Sequence, residues 1–436
     1  MSKHPTWLRF TPHIVNPPQL PAHEWKILGV VALISIFNRY DVTLLSTTLT
    51  QVQDSLDIAE SHVGALVALV QLGAIPAVAL TLAADRIGRR QVLLLTFLGY
   101  TLATGAAGVA PNTAIFVTLL FFARMAIVTG LLLAAVVITE EFGPDVRGWG
   151  VSALGAISVY GFGVALLLFA LIDVLPGGWR FLYLASLSGL LIYRSVQRAL
   201  PASSRFERQA IPARRVNPLV ALFRMYPGRI AAVSTVTFLV GFGSQTALAF
   251  LPKYLQDVHR WSPGQVAAFS FLAGGLTLVA STQLGALSDH IGRKATAQFL
   301  LASYPVVIIL LYNAAGLWLL MLWPIMQICA MGTTIVLGTY GAELFPTSHR
   351  STSVGAQAAI SNMGAVISLA SQSALYQALH SHWVAISVLA VSLFVTPFLV
   401  WRTLPETSGR DLEDIAPELD LETTPIDVSG ARRGGC

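Results

Sequence analysis

Charge is the scarcest property of this chain. Only 11% of its 436 residues are Asp, Glu, Lys or Arg, while 55% are hydrophobic; soluble domains carry about a quarter charged residues. A soluble core of this size could not hide so much apolar surface, so lipid must solvate much of it. Cysteine is almost absent too. Cys329 lies inside an apolar run and Cys436 is the last residue. Two such cysteines exclude a disulfide framework, and a terminal one is no prenylation box. Paired His or Cys ligands, a nucleophile box and a phosphate-cradling glycine loop are all missing. That argues against an enzyme and leaves no cofactor and no metal to expect. A cleavable signal peptide is not expected either. The chain opens on a polar stretch rich in proline (Pro5, Pro12, Pro17, Pro18, Pro21), and the first apolar run is too long for a signal core.

What the sequence has is long apolar runs. Runs of roughly 20 residues suit bilayer-spanning helices. They fall near 27–50, 62–83, 91–110, 113–139, 149–172 and 181–199, then near 230–252, 264–287, 296–314, 316–341, 352–376 and 383–401. The runs are continuous rather than alternating, which favours helices over barrel strands. The expected fold is an all-α membrane protein of about twelve spanning helices. Its parts are a tail over 1–26, a six-helix bundle over 27–199, a linker over 200–229, a second bundle over 230–403 and a tail over 404–436. The last of these turns acidic.

The few charges are not scattered. Asp85-Arg86-Ile87-Gly88-Arg89-Arg90 returns as Asp289-His290-Ile291-Gly292-Arg293-Lys294, with Asp289 204 residues after Asp85. Each copy lies between two apolar runs, so the chain reads as an internal duplication. Membrane transporters that work by alternating access carry such repeats. Most Lys and Arg fall in one set of loops, including Arg147, Arg194, Arg198 and Arg350; the opposite set holds only Arg180, Lys253 and Arg260. By the positive-inside rule the basic side, with both termini, is cytoplasmic. The net charge of +5 is this bias, and no nucleic-acid partner is needed to explain it.

Further phrases accompany the repeat. Gly285 to Lys294 fits Gly-x-x-x-Asp-Arg-x-Gly-Arg-Arg/Lys with His290 in the Arg place, and the first copy has Thr81 where Gly is usual. Arg124 begins an Arg-x-x-x-x-x-Gly pattern that ends at Gly130. Glu141, Pro144, Arg147 and Gly148 follow the fourth run. Glu343-Leu344-Phe345-Pro346-Thr347 with Arg350 follows the tenth, and Pro405-Glu406-Thr407 the last. On these residues the chain resembles a major facilitator superfamily transporter over nearly its whole length. The phrases resemble its sugar-porter, aromatic-acid and organic-ion branches. The sugar branch fits less well: its seventh-helix double Gln is absent at Leu239–Gln245, and Gly338 stands where it has a Trp.

The repeated turn suits a gating latch. Gly88 and Gly292 permit backbone angles that a tight turn needs. Arg86, Arg89, Arg90, Arg293 and Lys294 can pair with acids or with carbonyls at helix ends, and Asp85 and Asp289 with arginine or as caps of the next helix. Such contacts exist in one conformation and break in the other. Glu141 with Arg147, and Glu343 with Arg350, are expected in the same layer, as is Gly285 at its edge. The loop could instead serve only to set topology.

Within the first run stand Asn38-Arg39-Tyr40-Asp41, and within the fourth Arg124. A charge at the bilayer centre costs about 2.5–3.5 kcal/mol on insertion scales, so these groups face a wet cavity or each other. The resemblance implies that Asp41 and Arg124 face each other and couple a proton to transport. A static ion pair is the alternative. Arg39 could hold a substrate carboxylate or pair with an acid nearby; it lies about 200° around the helix from Asp41. Asn38 shares Asp41's face. Tyr160, Gln245, Trp323, Gln357 and Asn362 complete the candidate substrate contacts, each of them equally apt to be helix-packing glue. His380 and His382 read as solvated loop residues. The function expected is proton-coupled uptake of a small organic acid by alternating access. The other readings are a sugar or polyol porter, efflux of an amphiphile, or a transporter-like sensor. The expected setting is a bacterial inner (plasma) membrane, with lipid, protons and a small-molecule substrate as partners, and a monomer as the working form.

Overall fold

The computed structural model describes residues 5, 7–8, 11, 17–143, 145–200, 225–346 and 350–408. All regular structure among them is helical. The first half holds α1 (Ala22–Thr47), α2 (Leu49–Ser55), α3 (Glu60–Gln71), α4 (Ala74–Ile87), α5 (Arg89–Ala107), α6 (Thr113–Glu141), α7 (Arg147–Ala170), α8 (Trp179–Ala185) and α9 (Gly189–Ala199). The second holds α10 (Pro227–Asp257), α11 (Pro263–Ile291), α12 (Arg293–Tyr312), α13 (Leu317–Glu343), α14 (Arg350–Leu379), α15 (His382–Val391) and α16 (Val395–Thr403). Much of the expected linker and the last tail lie outside the described residues.

Local chemistry sets the helix starts. Pro21 precedes α1, and its fixed φ starts the helix at Ala22, five residues before the apolar run. Asn112 accepts from the Ile115 N–H at 2.9 Å and opens α6. Ser262 and Gln265 form a capping box at α11, with Pro263 at its first position.

Ten helical stretches among the described residues are long and apolar enough to cross a bilayer. The third and sixth expected segments are helical but fall short of that measure. α5 begins on Arg89-Arg90-Gln91. The sixth is broken into α8 and α9 by a 3₁₀ turn at Ser186–Ser188. The twelfth breaks in the same way at Ser392–Phe394, between α15 and α16. Large apolar side chains such as Phe299, Trp318 and Trp401 stand exposed on the outside. On a soluble protein such patches would need partners; here lipid covers them.

The duplication is a structural one. Gly88 and Gly292 both take φ near +110°, at 109° and 110°. The two charged turns therefore share a backbone shape that other residues reach only with strain. Deeper in, Gly161 of α7 meets the Ile36 carbonyl of α1, and Gly364 of α14 meets the Phe238 carbonyl of α10. Any Cβ at either glycine would strike that carbonyl, so the same close crossing is built once in each half. The result is two six-helix bundles related by a pseudo-two-fold axis. The end with the two charged turns is called the basic end below.

Candidate functional site

A cavity of about 220 Å³ lies between the halves. α1, α3, α5 and α6 wall it from the first half, and α10 closes it from the second. Its walls are mostly aliphatic, among them Val67, Val70, Leu120, Ile127 and Leu248. Its polar groups are Asp41, Ser46, Gln71, Thr104, Arg124 and Gln245. The space would hold about seven waters, at roughly 30 Å³ each. Ligand pockets usually run to about 300–1,000 Å³, so this one fits a small solute.

Asp41 is buried, and its Oδ2 accepts from Ser186 Oγ at 3.1 Å. Ser186 sits in the break between α8 and α9, so the 3₁₀ turn supplies the donor. Among the described residues, the buried atoms Asp41 Oδ1 and Arg124 Nε have no hydrogen-bond partner in good geometry, and the Thr104 hydroxyl lies beside Asp41. An unmade hydrogen bond at a buried polar group costs about 1–3 kcal/mol, more where it is charged. The expected ion pair between Asp41 and Arg124 is absent among the described residues. The two share one cavity yet stay apart, because Asp41 is held toward Ser186.

Of the other expected contacts, Gln245 lines the cavity and the rest do not. Asn38 is buried and donates from Nδ2 to the Ile127 carbonyl at 2.8 Å, tying α1 to α6. Its amide is spent on packing. Arg39 is exposed and outside the cavity lining, as its position around the helix from Asp41 requires. Tyr160 lines an apolar groove with Trp7, Trp25, Leu33 and Ile36, on the side of α1 away from the cavity. Trp323 is buried against Phe269 and Trp261, with ring centroids 5.3 and 6.3 Å away. Gln357 donates to Ser353 Oγ at 3.1 Å on its own helix and abuts Gly341. Asn362 is half-buried on α14, outside the lining.

At the basic end each half builds its own cluster. In the second half Arg293 pairs with Asp289 at 2.5 Å and with Glu343 at 3.3 Å, and it also reaches Ser288. Glu406 accepts from the backbone N–H groups of Arg293 and Lys294 at 2.8 and 3.1 Å. Thr407 Oγ1 donates to Glu343 at 2.6 Å. In the first half Arg89 pairs with Glu140. Arg90 donates to the Leu200 and Gln197 carbonyls at 2.8 and 2.6 Å, closing the C-terminus of α9. Arg89 thus pairs with Glu140, and the neighbouring Glu141 points about 100° further round α6. The expected pair of Glu141 with Arg147 is absent among the described residues; Arg147 Nε donates to the Phe142 carbonyl at 3.0 Å. The side chains of Asp85, Arg86 and Arg350, and the surroundings of Gly285, lie outside the described residues.

The opposite end carries a cluster that the sequence did not announce. Lys253 on α10 is 2% exposed. Its Nζ donates to Gln53 at 2.5 Å, to Glu60 at 3.3 Å and to Asp257 at 2.5 Å. Glu60 also pairs with His382 Nε2 at 2.6 Å, and His382 Nδ1 meets Gln372. His382 is not a solvated loop residue. Capped by Ser381, it opens α15 with its ring stacked 4.2 Å from that of Tyr376 and tilted 5.4 Å from that of Phe250. Nearby, Gln51 donates to Gln256 and Thr50 to Asp257, while Ser373 donates to the Ser61 carbonyl at 2.6 Å. Lys253, His382, Gln51, Thr50 and Ser373 thus bond across the halves at this end. The one available signal was the Lys253–Asp257 spacing of four on a helix.

The chain matches the family model of the Major Facilitator Superfamily over residues 31–281 and again over 233–418. It is similar to the niacin transporter of Acinetobacter baylyi, at 23% identity over 90% of this chain and 96% of that protein. It is also similar to the cis,cis-muconate transport protein of the same organism, at 23% identity over 80% and 87%. Among solved structures, a bacterial homologue of the human lysosomal transporter Spinster, in an inward-facing and occupied conformation, superposes with a TM-score of 0.74. Its identity is 16%, over 88% of this chain and 98% of that one, and the likeness is one of fold.

Proposed function

The chain belongs to the Major Facilitator Superfamily, and from that premise we propose that it imports a small organic acid, aromatic or otherwise unsaturated, together with a proton. The observation that carries this reading is a buried Asp41 and a half-buried Arg124 on the wall of one small cavity, neither of them in an ion pair with a described residue. Arg124 offers a guanidinium fork that suits a carboxylate. The aliphatic walls suit a ring or a short unsaturated chain, and the Gln71 and Gln245 amides suit its polar substituents. The niacin and muconate carriers among its relatives support an acid as cargo.

Proton coupling follows from charge. The cavity wall holds one half-buried cation, Arg124, and one buried acid, Asp41. A substrate carboxylate on Arg124 adds a second anion beside Asp41. Two carboxylates cannot both stay charged in a dry cavity with one guanidinium, so the acid enters with a proton for Asp41. The basic end faces the cytoplasm by the positive-inside rule, in a bacterial inner membrane. The closed end is then the outer one, and the conformation faces inward. The protein works as a monomer, since the cavity is complete within one chain.

Uptake of labelled benzoate into proteoliposomes, with and without an inward proton gradient, tests this. Accumulation that needs the gradient is expected. In Arg124→Ala half-saturation should rise about 10- to 100-fold, the loss of a charged hydrogen bond worth roughly 1.5–3 kcal/mol. Absence of uptake and of competition by any small carboxylate would sink the acid reading.

A further inference from the structure

Lys253 has two kinds of partner. Asp257 lies four residues on along α10 and travels with it. Gln53 and Glu60 belong to the first half and leave when the outer end opens. Lys253 also lies eight residues above Gln245, about 12 Å further along the same helix toward that end. Gln245 lines the cavity that holds Arg124. Opening therefore exposes an ammonium group at the mouth of the path to the cavity, and at that moment it lacks the carboxylate of Glu60. The charged and titratable groups bonded to Lys253 or to its partners are Asp257 and His382 on the second half and Glu60 on the first; Asp54, Asp57, His62, His259 and Arg260 stand on the adjoining turns.

We propose that Lys253 is a second, transient carboxylate site, holding the substrate anion while the outer end is open and releasing it toward Arg124 as Glu60 takes its place. The proposal rests on the organic-acid reading above. Substrate and Glu60 present the same group to Lys253, so they compete for it. The exchange makes closure follow loading: Glu60 can reach Lys253 only after the substrate has moved down. It also disfavours neutral analogues at the entrance, since an amide offers no charge to the ammonium.

The test compares two substitutions on opposite sides of one ion pair, using benzoate and neutral benzamide as probes in proteoliposomes. If Lys253 serves only to lock the end shut, Lys253→Gln and Glu60→Gln break the same bond and shift benzoate KM in the same direction. If it captures the anion, the signs differ. Lys253→Gln should raise benzoate KM about two- to fivefold, the size of a hydrated ion pair. Glu60→Gln removes the competitor and should leave KM equal or lower. Benzamide should compete equally well in both variants. Lys253→Arg keeps the charge and should restore KM, which separates capture from loss of folding. Parallel KM shifts in the two Gln variants, or no rescue by Arg, would overturn the capture site while leaving the acid reading intact. Failure of the wild type to take up benzoate, with no competition by any small carboxylate, would remove both.

Discussion

The ion pairs among the described residues differ between the two ends of the molecule. At the basic end Arg89 with Glu140, and Arg293 with Asp289 and Glu343, each join elements of one half. At the opposite end Lys253 with Glu60, and His382 with Glu60, join one half to the other. The first kind stiffens a bundle and survives when the halves rock. The second must break before that end can open. A transporter whose site is reached from one side at a time needs this asymmetry, since bonds between the halves at both ends would hold it shut.

The sharpest way to test the contrast is to make the closed end permanent. Cross-linking Gln51→Cys to Gln256→Cys with a short bis-methanethiosulfonate reagent, in a background with Cys329 and Cys436 replaced by Ser, should abolish uptake, and reductant should restore it. Those two side chains touch across the halves. Continued transport by the cross-linked protein would show that this end does not open. Next in size is the cavity between the ends. Asp41→Asn should lose gradient-driven accumulation of benzoate while keeping exchange of internal for external substrate. An unchanged proton requirement would move the coupling site elsewhere.

A smaller effect is expected at the basic end. Arg293→Gln removes partly exposed ion pairs within one half, worth about 0–1 kcal/mol. Uptake should fall only a few-fold, with little change in spin-label distances between the halves. A large shift in those distances would mean that this cluster also bonds across the halves in the other conformation. Least of all should come from Asn38→Ala, which removes one buried hydrogen bond worth about 1 kcal/mol. It should lower the melting temperature by a degree or two, roughly, without changing benzoate KM. A large KM change would return Asn38 to the binding site.

Helix positions, the duplication and the membrane class were all legible in the sequence, because each depends on local chemistry. Apolar runs of bilayer length can only be helices here. Gly88 and Gly292 mark the same turn twice, and Asp41 and Arg124 stand out as charges where charge is costly. Which polar residues face the cavity was decided only by tertiary structure. These helices are apolar all round, so no amphipathic stripe separates lipid from core or from cavity. Asn38 and Asp41 share a face, yet one bonds a neighbouring helix and the other lines the space beside it. Glu60 and Lys253 are 193 residues apart and meet only because the halves close at that end. The sequence by itself determined the helices and where charge had to be hidden; the packing of one half against the other decided which charges met and which were left waiting on a cavity wall, since pairing depends on distance in space and not along the chain.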